Sequence, residues 1–205
     1  MNGQADLWYY PPEDPRSQQT VWGNLNQLAE LKAKYPALHV NVSIGGSTMS
    51  GNISTAVATA AGRDKLAESI VSFMTSYPQF DGVDFDWEFP GGGGDPNNAV
   101  SPADGANYAS LLKTVRTKLD TLGRQTGKRY DLTVASPADV ETLSTFNLTG
   151  LAPSVDFFNL MTYEFHGTWD MTTGHQSALT GDTGGRDDMA SVARYLAAGI
   201  APDKI

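Results

Sequence analysis

The sequence contains no cysteine. Disulfides and thiolate metal sites are therefore excluded, while the compartment stays open, because secreted chains of this size can fold without disulfides. Basic residues are few: 14 Lys and Arg stand against 23 Asp and Glu, a net charge of -9. A nucleic-acid partner would need a basic stripe, and none is visible. An anionic lipid surface is disfavoured for the same reason, and a neutral or cationic partner is expected. No apolar run approaches the ~20 residues that span a bilayer. The start, Met1 to Asp14, is polar and Pro-rich, without the basic and apolar zones of a signal peptide. It implies either a cytoplasmic protein or a true start further upstream. Only three histidines occur, scattered at positions 39, 166 and 175. They outline no metal cluster, and His166 reads as a structural hydrogen-bonder.

What is present is an alternation of helix and strand signals along 205 residues, enough for one domain with a sizeable core. Leu25, Leu28, Leu31 and Tyr35 recur at helical spacing and stop at Pro36. His39 to Ile44 reads as a strand running into Gly45 and Gly46. Leu66, Ile70, Phe73, Met74 and Tyr77 mark a second helix, stopped by Pro78. Phe80 to Phe89 reads as a strand, and Gly91 to Pro102 as a loop. Tyr108 to Leu122 forms the clearest helix, with Gly123 just past its end. Tyr130 to Ser136 and Val155 to Tyr163 read as strands on either side of a weaker helix from about Asp139 to Leu151. Met189, Val192, Ala193 and Leu196 mark a last helix ended by Gly199.

Such alternation predicts an α/β fold with a parallel sheet and right-handed crossovers. No dinucleotide fingerprint or phosphate loop follows any strand, and Gly91 to Gly94 lacks the Lys-Ser/Thr of a phosphate loop. A (β/α)8 TIM barrel is therefore preferred to a doubly wound sheet. A whole barrel takes eight strand-helix units and about 250 residues. About four units are readable, so the chain is expected to be an internal piece of a larger catalytic domain.

The segment Phe80-Asp81-Gly82-Val83-Asp84-Phe85-Asp86-Trp87-Glu88-Phe89-Pro90 carries the chemistry. Strand side chains alternate, so Asp84, Asp86 and Glu88 share one face and Val83, Phe85 and Trp87 the other. A barrel strand is covered on both faces. The acids should therefore point inward and climb toward the C-terminal rim, where barrel enzymes place their sites. Stacked like charges cannot all ionise cheaply, so at least one pKa should rise. Glu88, last and longest, is the natural proton donor. A solvated acidic edge is opposed by the interleaved Val, Phe and Trp. A calcium loop is opposed by bulky residues in the gaps and by Phe89 where a turn glycine belongs.

This strand resembles the D-x-x-D-x-D-x-E signature of glycoside hydrolase family 18, the chitinases, matched at Asp81, Asp84, Asp86 and Glu88. Ser43-Ile44-Gly45-Gly46 resembles the family's S-x-G-G, and Met161-Thr162-Tyr163-Glu164 its M-[ST]-Y-D. The resemblance implies the eight-stranded barrel, with the readable strands as its third to sixth. It also implies an endo-chitinase using substrate-assisted catalysis. Glu88 would be general acid and base. Asp86 would hydrogen-bond the acetamido N–H, with Asp84 tuning it from beneath, and Tyr163 would donate to the acetamido carbonyl. Ser43, Asp81, Met161, Glu164 and Trp169 are candidate substrate-binding residues, Ser43 also supporting the acids from the neighbouring strand. Trp169, two residues past Gly167 after a strand end, reads either as a ring stacking on a sugar face or as a loop tryptophan packed for burial. Two positions depart from the pattern: Glu164 stands where the family usually has Asp, and Ser47 where many chitinases have Trp. No metal or cofactor is implied. The expected partner is chitin or a chitooligosaccharide, with no nucleic acid or membrane, for a monomer whose complete form is extracellular. A non-catalytic, lectin-like chitin binder and an endo-β-N-acetylglucosaminidase are the alternatives.

Overall fold

A computed structural model describes residues 23–181 and 186–205. The segment Met1 to Asp14, read as no signal peptide, lies outside them. No helix among the described residues is long and apolar enough to cross a membrane.

Four strands, β1 (Asn41–Gly45), β2 (Gly82–Asp86), β3 (Asp131–Ser136) and β4 (Phe157–Leu160), form one parallel sheet in the order β1-β2-β3-β4. A doubly wound sheet reverses its strand order at a switch point; here each strand pairs with its successor, as an arc of a barrel requires. Helix α1 (Gly23–Lys34) precedes β1. The crossovers are α2 (Ile53–Val57) with α3 (Ala60–Ser76), then α4 (Asp104–Thr126), then the short α5 (Val140–Leu143) and α6 (Leu148–Leu151). Helix α7 (Asp188–Ala197) and a 3-10 turn at Pro202–Lys204 follow β4.

One face of the sheet meets the helices. Val83, Phe85 and Trp87 are fully buried on it, as are Leu132, Val134 and Phe158. They pack against α4, whose Tyr108, Leu111, Leu112, Val115 and Leu119 recur at helical spacing and are also buried. Burying each such side chain contributes roughly 1.5–3 kcal/mol. Tyr108 stands edge-on to Trp87, with ring centroids 5.2 Å apart, and to Phe146 at 5.7 Å.

The structure corrects several boundaries, among them those of β2 and β4, which are Gly82–Asp86 and Phe157–Leu160 rather than Phe80 to Phe89 and Val155 to Tyr163. Gly123 does not end the long helix, which runs on to Thr126 and is closed by Gly127 at φ +70°. Gly123 is instead a close approach: a Cβ there would lie 2.5 Å from the Lys128 carbonyl oxygen. The weaker helix from Asp139 to Leu151 is two short ones, broken at Asn147, which is left-handed at φ +49°. The break lets Phe146 turn into the core.

Candidate active site

The expected alternation holds on β2. Asp84 and Asp86 lie on the face away from the helices, both partly exposed, while Val83 and Phe85 are buried. The strand ends at Asp86, so Glu88 lies just beyond the ladder, whose last β1–β2 pair is Gly45 with Asp86. The Ser43-Ile44-Gly45-Gly46 run allows this junction to close. Gly46 N–H donates to the Asp86 carbonyl at 2.6 Å. A Cβ on Gly45 would lie 2.1 Å from that same oxygen, at φ +114°, a combination open only to glycine.

Asp84 is the most heavily bonded of the three acids. Ser43 Oγ donates to its Oδ2 at 2.9 Å; Thr133 Oγ1 and Asn159 Nδ2 donate to its Oδ1 at 2.6 and 3.1 Å. The three donors come from β1, β3 and β4, so the sheet register itself builds the cradle. Asp86, in contrast, has a buried Oδ1 with no hydrogen-bond partner among the described residues. Burial holds the Asp86 carboxyl above its ordinary pKa, reinforced by the charge of Asp84. Glu88 is raised too, first by burial, then by the charges of Asp86 and Glu164, and by a hydrogen bond to the Asp86 carboxyl. That bond favours the proton on Glu88, because it raises Glu88 and lowers Asp86.

A cleft of about 400 Å³ opens beside Glu88, and Met161, Tyr163, Glu164 and Trp169 line it. Tyr163 is half exposed, and its hydroxyl is held above the usual phenol range by partial burial and by Asp86, Glu88, Glu164 and Asp84. It therefore stays a proton donor. Glu164 adopts φ +57°, an uncommon conformation for a residue with a Cβ that clusters at functional sites. Two hydrogen bonds flank this turn: Phe165 N–H to the Gln176 carbonyl at 3.0 Å and Ser177 Oγ to the Thr162 carbonyl at 2.8 Å. Trp169 is 63% exposed, and its ring covers Gly167, where a Cβ would clash at 2.3 Å. His166 Nδ1 lies 3.1 Å from Asp170 Oδ2.

Asp81 does not join this cluster, which corrects its expected role in substrate binding. It precedes β2, at the N-terminal end of the sheet, and is buried there. Its carboxylate pairs with Lys32, accepts from Val40 N–H at 2.8 Å and meets Lys128 Nζ at 3.1 Å. Burial alone would raise its pKa, but the two lysines and the backbone donor outweigh that and hold it below the ordinary value. Ser43 touches Asp84 rather than standing alone in the cleft.

Sequence reasoning missed Thr133 and Asn159 as donors to Asp84. Their signal was available only through register, since Asp84 pairs with Thr133 across the ladder. It also missed Asp139, Glu141 and Arg186 on the cleft wall.

The model for glycosyl hydrolases family 18 matches residues 4–205. Chitinase A1 of Niallia circulans is 43% identical over 164 residues, 80% of this chain and 23% of that protein. Chitinase ChiA74 from Bacillus thuringiensis superposes with a TM-score of 0.86 at 38% identity, covering 89% of this chain and 30% of that one. A family 18 N-acetylglucosaminidase from Paenibacillus barengoltzii gives a TM-score of 0.83 at 38% identity, over 92% and 56% respectively. The chain thus spans well under two thirds of the length of each of these relatives. With the family model matched along nearly its whole length and the acid signature carried on β2 and the residues flanking it, this chain belongs to glycosyl hydrolases family 18.

Proposed function

We propose that the complete protein is an endo-acting chitinase, hydrolysing β-1,4 bonds between N-acetylglucosamine units with retention and with help from the substrate's own acetamido group. The observation that carries this reading is the difference between Asp84 and Asp86. Both Asp84 oxygens are occupied by protein donors, so Asp84 is not a free nucleophile. Asp86 keeps one buried oxygen without a partner among the described residues, and a buried acceptor calls for a donor. An acetamido N–H supplies one.

Glu88 then protonates the glycosidic oxygen, and the bond to the leaving sugar breaks. The acetamido carbonyl oxygen attacks the anomeric carbon and forms an oxazolinium ion. Asp86 accepts the N–H and balances the positive charge, while Tyr163 donates to the acetamido oxygen. Water, giving a proton to Glu88, attacks the anomeric carbon from the other side and reopens the ring. Two inversions leave the configuration retained and Glu88 protonated again. This differs from the usual retaining scheme, in which a second protein carboxylate is the nucleophile. An extracellular place for the complete protein accords with an insoluble polymer substrate.

The test uses chitooligosaccharides and their fully de-N-acetylated counterparts. NMR should show the β-anomer as first product from the acetylated substrate and no cleavage of the other. Cleavage without the N-acetyl group would overturn the substrate-assisted route. Release of N-acetylglucosamine monomers alone would favour terminal action instead, an N-acetylglucosaminidase activity like that of the Paenibacillus barengoltzii protein.

A further inference from the structure

Glu88 presents a positional problem. It lies two residues past the end of β2, where no ladder bond fixes the backbone, yet a general acid tolerates little displacement. The hydrogen bonds around it come from two loops. Ser50, fully buried in the loop after β1, accepts Glu88 N–H on its Oγ at 2.9 Å. Its single proton goes to the Gly46 carbonyl at 2.9 Å or the Asp86 carbonyl at 3.3 Å. On the other side, Asn98 Nδ2 donates to the Glu88 carbonyl at 2.9 Å.

The Asn98 loop is pressed onto the same peptide, since a Cβ on Gly94 would lie 2.2 Å from the Glu88 carbonyl oxygen. The two loops are also tied together. Ala99 N–H donates to the Gly51 carbonyl at 2.9 Å. The buried Asp104 takes Ser54 Oγ at 2.7 Å on one oxygen, and Ser101 and Gly91 N–H at 2.8 and 3.2 Å on the other.

We propose that Ser50 and Asn98 are positioning residues: a two-sided clamp on the Glu88 main chain that replaces the missing strand ladder and holds the carboxyl over Asp86. The proposal deepens the hydrolase reading and rests on it for the kinetic effect, but the placement of Glu88 is measurable without substrate. Neither side chain lines the cleft, so each acts through Glu88. Loss of either should loosen Glu88, letting water reach its carboxyl and drawing it away from Asp86 and Glu164.

The test is S50A and N98A in the complete protein, with two readouts. The first is the Glu88 titration in the substrate-free protein, followed by carbon-13 NMR. Its midpoint should fall toward the ordinary glutamate value in each variant. The second is steady-state hydrolysis of a chitooligosaccharide. There kcat should drop about tenfold to hundredfold with KM within twofold, the signature of misplacement rather than lost binding. An unchanged midpoint and unchanged kcat in folded variants would overturn the proposal. Ser50 is buried and its variant is the one at risk of not folding; N98A, on the loop, decides the matter by itself. A midpoint that moves in a protein that cleaves no chitooligosaccharide would sink the hydrolase reading and leave the clamp standing.

Discussion

Asp81 and Glu88 flank the same strand and lie at opposite ends of the sheet, Asp81 bound into an ion-paired anchor at the N-terminal end and Glu88 over the cleft at the other. Two acids of one signature therefore stand in different surroundings. The anchor is repeated along the sheet: Asp156, just before β4, accepts Leu132 N–H at 2.8 Å and pairs with Arg116 and Arg129.

Asp81→Asn should consequently destabilise the fold while sparing the chemistry. It leaves Lys32 and Lys128 facing a neutral amide, and breaking a buried pair costs roughly 3 kcal/mol. The native pKa of Asp81 is depressed. Its contribution to stability is then full above the unfolded-state pKa and is lost as pH falls through the folded one. Denaturant melts should show a lowered midpoint at pH 7 and little difference from the parent in strong acid, with kcat unchanged well below the melting temperature.

Glu88→Gln should lower kcat by about 10²–10⁴-fold, the usual worth of a general acid, and leave oligosaccharide binding intact. It should also stabilise the protein. Glu88 is raised in the native state, so folding stability declines as pH rises from the unfolded toward the folded pKa. Gln removes that penalty. Calorimetry at pH 7 should give a higher melting temperature for the variant, and a lower one would contradict the assigned pKa direction.

The basic limb of the pH–rate profile should lie above the ordinary carboxylate range, because burial, Asp86 and Glu164 all keep the proton on Glu88. Glu164→Gln deletes one of those charges. The limb should then shift to lower pH, and the shift should shrink in high salt. A profile that stays in place would show that Glu164 does not act on Glu88 through its charge.

Thr133→Val keeps the packing of a buried β-branched residue but removes the 2.6 Å donor to Asp84. A hydrogen bond to a charged group is worth about 1.5–3 kcal/mol. With Oδ1 left to Asn159 alone, the Asp84 carboxylate should be held less firmly and support Asp86 less. We expect kcat to fall about tenfold while the fold persists by circular dichroism; unchanged kcat would mean that Asn159 and Ser43 suffice.

Much of the site was legible in the sequence because strand geometry is periodic. Alternation alone set Asp84 and Asp86 opposite Val83 and Phe85, whatever the rest of the chain does. Glycine gave mixed information. Gly45 stands where a strand signal runs out and is a close approach to the next strand, whereas Gly123 resembles a helix end and is one only in appearance, since the carbonyl that forbids a side chain there belongs to Lys128 after the turn. Ser50 and Asn98 carried no signal, because each is an ordinary loop residue until two loops meet over one peptide.

By itself the sequence determined the acidic strand, the candidate for its proton donor and the parallel α/β order, all consequences of local periodicity and residue type. Only the tertiary structure decided that Asp81 anchors the far end of the sheet, that both Asp84 oxygens take donors from three other strands, and that Asp86 keeps a buried oxygen without a partner among the described residues. Those facts depend on which groups from distant segments meet in space, and hydrogen bonding and desolvation are set by that meeting rather than by the chain's local pattern.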